Sequence, residues 1–459
     1  MVQLTENQLN KYISSSSFPV EIESLIKPVL LHRTELYRRY SRKDNPTETM
    51  HGKGKIQPFE YYIVKMAQGY LSGKAPMYRI SGKKKYAKSY SDKIDYIRRY
   101  NDDAATFSDL MHDYLTTAAA YLYVYENEEN EIVYTRFDSR QTVAIYDYST
   151  PPNMIAIVRV WQEPESVGGT DGRVMEIITD SERIQWRDKT RTVVEQLQWG
   201  DVPCSAAEEP DGIAIFEPAI ADIDTYEQMV TNIASMTQYN DNAKLLLIGY
   251  VLPEEKYIID ENGEEIENPK RKAMEDEIYK SKVLSVSTEG EIKWLLKDVN
   301  YSGMLEVLKQ THDNITMLTG VPNMTDEAFS NADNASALGY KLYALDQYSA
   351  YADRIFKKAY LRLWEIITNR LNLKGDAYDF RDIDITMQRN LPTDRDKSVD
   401  RAIKMKNSGL FSDETCLSES QIEVDPADEL RKVSAQEQAE YELMASRGMN
   451  QENDNDERP

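Results

Sequence analysis

Cysteine is almost missing from this chain: of its 459 residues only Cys204 and Cys416 are cysteines, far apart in the sequence. Neither a disulfide framework nor a zinc knuckle can be built from such a pair, and so sparse a use of thiols fits a reducing compartment. Histidine is scarce as well: His32, His51, His112 and His312 are the whole set, and no two stand at metal-ligand spacing. The chain contains no His-Glu-x-x-His, no Gly-x-Ser-x-Gly and no Gly-x-x-x-x-Gly-Lys-Ser/Thr, so the usual metalloprotease, serine-hydrolase and nucleotide-hydrolysing signatures are all missing. No apolar run approaches the roughly eighteen residues of a membrane helix. The longest, Ala118 to Val124, leads straight into Tyr125 and Glu126. Met1 to Val20 has no charged-then-apolar signal pattern. These features lead us to expect a soluble chain made in a cytoplasm, without a membrane partner.

Positive charge is also in deficit. Lys and Arg number 55 against 78 Asp and Glu, for a formal net charge of -23. Nucleic-acid binders commonly present a basic face, and this chain as a whole shows the opposite. Two local exceptions exist. Gly82-Lys83-Lys84-Lys85 is a basic loop, but no strand feeds it, and it reads as a solvated surface. Lys83 to Arg99 mixes Lys84, Lys88, Lys93, Arg98 and Arg99 with Tyr86, Tyr90, Tyr96 and Tyr100. Asp92 and Asp95 dilute it, so a helix surface or subunit contact is the expected reading.

What is present is enough apolar material for several cores, 41% of residues, in a length that predicts two to four units of roughly 100–200 residues. Tyrosine is abundant (31 residues) and suits half-wet interfaces. Glu21 to Arg42 and Pro58 to Leu71 have helical periodicity, and Asp92 to Leu115 reads as one broken helix or two short ones. The period then becomes two. Strands are predicted at 120–125, 131–137, 142–148, 154–161, 174–179 and 183–187, separated by turn signals such as Pro151-Pro152-Asn153. The first half is therefore α+β, a helical N-terminus on an antiparallel sheet, and Pro203 to Ile215 leads out of it.

Glu217 to Asn242 is predicted as a long acidic helix, with Asp222, Asp224, Glu227 and Asp241 among Ile220, Ile223, Val230 and Ile233. A small α/β insert follows: a strand at 245–251, a hairpin centred on Asn262-Gly263 and flanked by Glu261 and Glu264, and strands at 282–287 and 292–296. A second helix is expected at Tyr301 to Thr319, stopped by Gly320 and Pro322. Then comes a polar loop, Val321 to Ser336, carrying Asn323, Met324, Asp326, Glu327, Asn331, Asp333 and Asn334 with no Lys or Arg. Loops of that length between helices are uncommon and usually functional or disordered, although a plain connection is the simpler alternative. Ser336 is placed to cap a long helix, about Ala337 to Leu373. A short strand at 382–386 and helices at 401–407 and after Ser412 lead into an acidic tail. Asp382 and Asp384 would project to one side of their strand, as a metal-dependent nuclease needs, but such pairs arise by chance in an acidic chain.

The order of these parts resembles the portal proteins of long-tailed double-stranded DNA phages. Three stretches carry the resemblance: IAIFEPAIADIDTYEQMVTNIASMTQYNDNAKLLLI (213–248), LTGVPNMTDEAFSNADNASALGYKLYALD (318–346) and NSGLFSDETCL (407–417). It departs at Ala337, where a glycine commonly follows the Ser. The resemblance implies a wing at 1–216, stem helices at 217–243 and 299–320, a clip at 244–298, a tunnel loop at 321–336, a long wing helix at 337–375 and a crown with its acidic tail at 376–459. It further implies a non-enzymatic ring of about a dozen subunits at the capsid vertex, assembled in the host cytoplasm. Viral DNA would pass through this channel during packaging and ejection. The ring would dock terminase and a head-completion or connector protein, and would meet scaffolding and major capsid proteins. No catalytic residue, metal or cofactor is expected. The tunnel-loop residues above would face DNA, Asp222, Asp224, Glu227 and Asp241 would give an acidic stem, and Glu261, Asn262, Gly263 and Glu264 would meet the clip's partner. A metal-dependent nuclease or an acidic adaptor in phage assembly are the alternatives.

Overall fold

The computed structural model describes residues 2–14, 19–44, 48–49, 52–53, 56–80, 84–163, 172–187, 190–241, 244–248, 256–259, 264–280, 291–295, 300–323, 335–390, 395–420, 429–430, 432–434 and 436. They divide into two compact units. The first takes residues 1–69, 75–323 and 342–387, the second 70–74, 324–341 and 388–459, so far as these are described.

The first unit is built in layers. A six-stranded sheet has the order β1-β7-β8-β9-β10-β11. Its strands are β1 (Val2–Gln3), β7 (Thr142–Tyr146), β8 (Met154–Gln162), β9 (Arg173–Ile178), β10 (Glu182–Arg187) and β11 (Thr190–Gln196). Alternation along a strand sends neighbours to opposite faces. Val143 and Ile145 accordingly join Val158, Ile177 and Trp186 under helices α1 (Glu6–Ile13) and α2 (Val20–Tyr40). Ala144, Ile157 and Ile178 meet a second sheet instead. That sheet has three strands in the order β12-β5-β6: β12 (Cys204–Glu208), β5 (Ala119–Glu126) and β6 (Ile132–Phe137). Tyr121 and Tyr123 of β5 point into the space between the sheets. Ala120 and Leu122 point the other way, where Leu110 of α5 (Asp103–Thr117) and Phe356, Ala359 and Tyr360 of α9 (Ala335–Leu373) cover them. Burial on both faces explains why β5 reads as a continuous apolar run rather than an alternating one.

The expected broken helix resolves into α4 (Ala87–Tyr100) and α5. Asp102 sits left-handed at φ 45°, with its carboxylate accepting from the Ala105 amide, and so ends one helix and starts the next. Three strands of these two sheets were not legible in the sequence. The two-residue strand β1 pairs in parallel with β7, so the large sheet is mixed rather than purely antiparallel. Edge strand β11 is almost wholly exposed and shows no buried face to read. Strand β12, expected as part of the exit from the sheet, pairs with β5 along its full length.

Other elements of this unit are α3 (Phe59–Ser72), which also runs into the second unit, and the strand pair β4 (Met77–Ile80) and β17 (Ile383–Thr386). A two-residue hairpin, β2 (Glu48–Thr49) with β3 (Gly52–Lys53), precedes α3. Helix α6 (Ile220–Asp241) begins with a 3-10 turn at Glu217–Ala219. In the insert, β13 (Lys244–Ile248) pairs with β16 (Glu291–Leu295), and β14 (Tyr257–Ile259) pairs with β15 (Glu265–Glu267), Ile258 opposite Ile266. The hairpin expected around Asn262-Gly263 is thus present on both sides of its tip, while Glu261, Asn262, Gly263 and the strand expected at 282–287 lie outside the described residues. Helix α7 (Pro269–Lys280) was not foreseen individually. Helix α8 spans Tyr301–Thr319, with Asn300 as its cap and Gly320 at φ 68° as its end. In the second unit, α10 (Arg395–Ser408) is longer than expected and packs on α11 (Asp413–Glu419).

Candidate functional site

Helices α6 and α8 form the most distinctive feature outside the layered core. Their far ends continue into the paired strands β13 and β16. Their near ends meet where α8 touches the 3-10 turn Glu217–Ala219, and further along Tyr226 lies 6.4 Å from the His312 ring. Two helices joined at both ends this way run antiparallel. Their contact is narrow. On α8 the row Thr311, Ile315 and Thr319 is buried, and among the described residues of α6 only Ile223 and Glu227 are. His312 is a packed residue, as expected of a lone histidine on an amphipathic helix: it lies against Phe59 and Tyr226, and 3.5 Å from the Asn323 amide.

The first turns of α6 are held by a buried ion-pair cluster. Arg39 donates to both carboxylate oxygens of Asp224, at 3.0 and 2.7 Å. Arg42 donates to Glu227 at 2.9 Å and to Glu60 at 2.5 Å, and Arg39 reaches Glu60 at 3.5 Å. The Gln57 amide donates to the other Glu227 oxygen at 3.3 Å. Glu60 is 1% exposed and Glu227 2%, so both are in effect removed from water. Burial pushes the Glu60 and Glu227 carboxyls up from their ordinary range against the pull of Arg42. Three carboxylates share two guanidiniums, with paired forks that few residues other than arginine could supply.

This cluster revises the expected acidic stem. Asp222, Asp224, Glu227 and Asp241 all stand on α6. Glu227, however, is sealed inside the chain's own fold, and Asp224 is neutralised by a bidentate arginine. Neither presents free negative charge to a bore. Asp222 is half-buried, and Asp241 is the last residue of the helix. The face that α6 leaves exposed carries Ala221, Thr225, Gln228, Asn232 and Ser235 at helical spacing, and it is uncharged. The residues missed by sequence reasoning are Arg39, Arg42 and Glu60. The only available signal was three ionisable groups at positions where helical periodicity demands burial.

Of the polar loop, the structure places only its start. Val321 is 1% exposed, the Pro322 carbonyl accepts from the Tyr62 hydroxyl at 3.1 Å, and Asn323 lies beside His312. Met324, Asp326, Glu327, Asn331, Asp333 and Asn334 lie outside the described residues. Helix α9 already includes Ala335, so Ser336, expected as its cap, stands inside the first turn. In the insert, Glu264 is described and exposed, just before β15.

The remaining chemistry-bearing candidates resolve into structural contacts. Asp382 lies in a short 3-10 turn and accepts from the Tyr86 hydroxyl at 2.5 Å, with Lys84 at 3.0 Å. Asp384 pairs instead with Lys357 at 3.0 Å, so the two carboxylates do not converge on one point. Among the described residues no group of three or more His, Cys, Asp or Glu side chains is placed to hold a metal ion. No described helix is long and apolar enough to cross a membrane. The basic, tyrosine-rich stretch is likewise occupied: Tyr90 stacks on Tyr378 at 4.5 Å, Lys93 pairs with Asp376, and Arg98 with the buried Asp103. Both cysteines are free and buried.

The described residues thus form a mixed helix-and-sheet protein in which two helices flank a small strand-paired insert. The chain belongs to the phage portal protein family, SPP1 Gp6-like, whose model matches residues 31–443. That family is structural and non-enzymatic, and membership gives the chain a structural role at the capsid vertex of a virion. No curated protein matches it. Among solved structures, it is similar to a chain in the neck of a native GTA particle computed with C12 symmetry, at 12% identity and TM-score 0.45, covering 79% of this chain and 89% of that one. It is also similar to a chain in the neck of an empty GTA particle computed with C6 symmetry, at 14% identity and TM-score 0.42, covering 79% and 90%.

Proposed function

We propose that this chain is one subunit of a homo-oligomeric ring of about a dozen copies that forms the channel for viral DNA. The wing is residues 1–216 with the long helix 337–375, and the stem is 217–243 and 299–320. The clip is 244–298, the tunnel loop 321–336 and the crown 376–459. The clip, with Glu261, Asn262, Gly263 and Glu264 at its hairpin tip, docks terminase and the head-completion protein in turn. Scaffolding and major capsid proteins meet the ring from outside. Assembly takes place in the host cytoplasm.

Family membership over 31–443 carries this reading. Two physical features support it. The ion-pair cluster clamps the root of α6 to α2 and α3, which would hold a stem at a set angle to the wing while DNA is driven past. Helix α6 contains no Lys or Arg, so it offers DNA phosphates no cationic partner; sliding requires that nothing hold the backbone. The stem lining is then mostly neutral, with Asp222 and Asp241 as its remaining acids. The tunnel loop, with Asp326, Glu327 and Asp333, makes the closer, acidic collar.

In an in vitro packaging assay, a variant with Asp326→Lys and Asp333→Lys should package DNA more slowly while still assembling rings. Unchanged packaging would remove the loop from the DNA path. A purified chain that stays monomeric by native mass measurement under all salt conditions would sink the ring itself.

A further inference from the structure

Tyrosine hydroxyls bonded to carboxylates recur in the first unit, and three of these carboxylates also hold a base. Asp103 accepts from the Tyr78 hydroxyl at 3.1 Å and, on the same oxygen, from Arg98 at 3.2 Å, while the Arg98 guanidinium lies 4.1 Å from the Tyr78 ring centre. Glu208 accepts from Tyr121 and Arg33 on one oxygen, with that guanidinium 5.4 Å from the Tyr121 ring. Asp382 accepts from Tyr86 and pairs with Lys84 at 3.0 Å, and the Lys84 ammonium lies 5.6 Å from the Tyr86 ring. Such a corner serves a cation twice, through the ring and through the carboxylate. Glu209 differs in taking two hydroxyls, from Tyr114 and Tyr351.

One corner of this kind stands open at the surface. Tyr96, near the end of α4, donates to Glu131 at 3.0 Å, and Glu131 forms no ion pair among the described residues. Tyr96 is 48% exposed, and Tyr100 beside it, ring centres 6.2 Å apart, is 44% exposed. The turn between β5 and β6 fixes both groups. The Asn127 side chain accepts from the Glu129 and Glu131 amides at 3.0 and 2.9 Å and donates to the Tyr100 hydroxyl at 2.8 Å. Rings and carboxylate are thus set in place before anything binds, which lowers the ordering cost of binding. Glu128 and Glu129, exposed on the same turn, add negative charge. Arg99 shares the helix but is turned back on it, donating to the Asp95 carbonyl at 3.2 Å.

We propose that Tyr96 and Glu131, with Tyr100 beside them, receive an arginine side chain presented by a partner protein. The guanidinium lies on the Tyr96 ring and donates to the Glu131 carboxylate, as Arg98 does at Tyr78 and Asp103. Arginine fits better than lysine because its plane stacks on a ring while its edge bonds a carboxylate. Glu128 and Glu129 favour a partner segment that is basic on the whole. The site depends on neither the ring nor the channel.

The full chain is titrated against a fluorescein-labelled peptide of alternating arginine and glycine, followed by fluorescence anisotropy. The same peptide with lysine, or with neutral citrulline, in place of arginine gives the comparison on the natural chain. The arginine peptide should bind saturably and more tightly than the lysine peptide, and the citrulline peptide should not bind. Tyr96→Ala and Glu131→Gln, each checked for folding by a thermal melt, should weaken the arginine peptide about two- to five-fold. Glu306→Gln, which removes the same charge from α8, should leave it unchanged. Absence of saturable binding would overturn the proposal. Equal binding of the lysine peptide, or equal weakening by Glu306→Gln, would overturn it too, in favour of a general attraction to an acidic chain.

Discussion

At the residue scale, several of the buried charges among the described residues join segments that lie far apart in sequence. Arg33 of α2 is 7% exposed and donates to the Tyr121 hydroxyl at 3.0 Å, the Ser139 carbonyl at 3.2 Å and the Thr142 carbonyl at 2.8 Å. Glu208 accepts from both Tyr121 and Tyr146, which closes a network between the two sheets. The Arg39–Arg42 cluster does the same for the root of α6. Breaking a buried pair from one side strands the other charge, so Arg42→Ala should cost about 3–5 kcal/mol, read as a lower unfolding midpoint. Glu60→Gln should behave differently. A carboxyl whose pKa is raised on folding contributes fully below its unfolded value of 4.5, and that contribution is lost as pH rises through the folded value. The amide introduced by Glu60→Gln would keep an acceptor for Arg42 without titrating. Thermal melts should show Glu60→Gln gaining on the natural chain as pH rises from acid to neutral. A gain that shrinks with pH would mean that Glu60 is held by Arg42 as a committed anion.

At the scale of elements, α8 is defined by its two ends. The Asn300 side chain accepts from the Gly303 amide at 3.0 Å, and Asn300→Ala should cost about 1 kcal/mol through the lost cap. Gly320 ends the helix at φ 68°, and a β-carbon there would lie 3.4 Å from the Ala344 backbone of α9. Gly320→Ala should therefore cost about 1–2 kcal/mol from the left-handed backbone. Paired melting curves would separate these changes from Gly69→Ala, where a β-carbon meets nothing within 4 Å. Helix α9 is tied at its other end by Arg370, which donates to both Glu126 oxygens at 2.9 and 2.7 Å. These contacts hold Glu126 below the ordinary carboxylate range, so this tie is fully made above its unfolded pKa and loosens as pH falls through the folded one.

At the scale of the whole molecule, a formal charge of -23 per copy makes any ring of these chains strongly self-repulsive. Added salt should screen that repulsion and favour assembly. Native mass measurement across an ionic-strength series would show rings increasing with salt. Rings that fall apart as salt rises would mean that ion pairs between copies outweigh that repulsion.

The sequence alone determined the parts and their order. Long periodic stretches such as Tyr301–Thr319 and the core of α9 were legible because burial of one face leaves a regular imprint on the residues themselves. So were the strands from β5 to β10, the hairpin around Asn262-Gly263 and the missing nucleotide and hydrolase signatures. Elements with little imprint were not: β1 has two residues, β11 has no buried face, and β12 looks like an exit loop until β5 is set beside it. The site divides in the same way. That α6 carries Asp222, Asp224, Glu227 and Asp241 can be read from the chain, and so can the lack of Lys and Arg there. Which of those carboxylates meets solvent could not be read, because the answer lies in Arg39 and Arg42, some 185 positions away. Only the tertiary structure brings those guanidiniums to α6, turns Asp224 and Glu227 inward and leaves an uncharged face outside. Local pattern records how a segment is buried; pairing between distant charges is settled by packing alone.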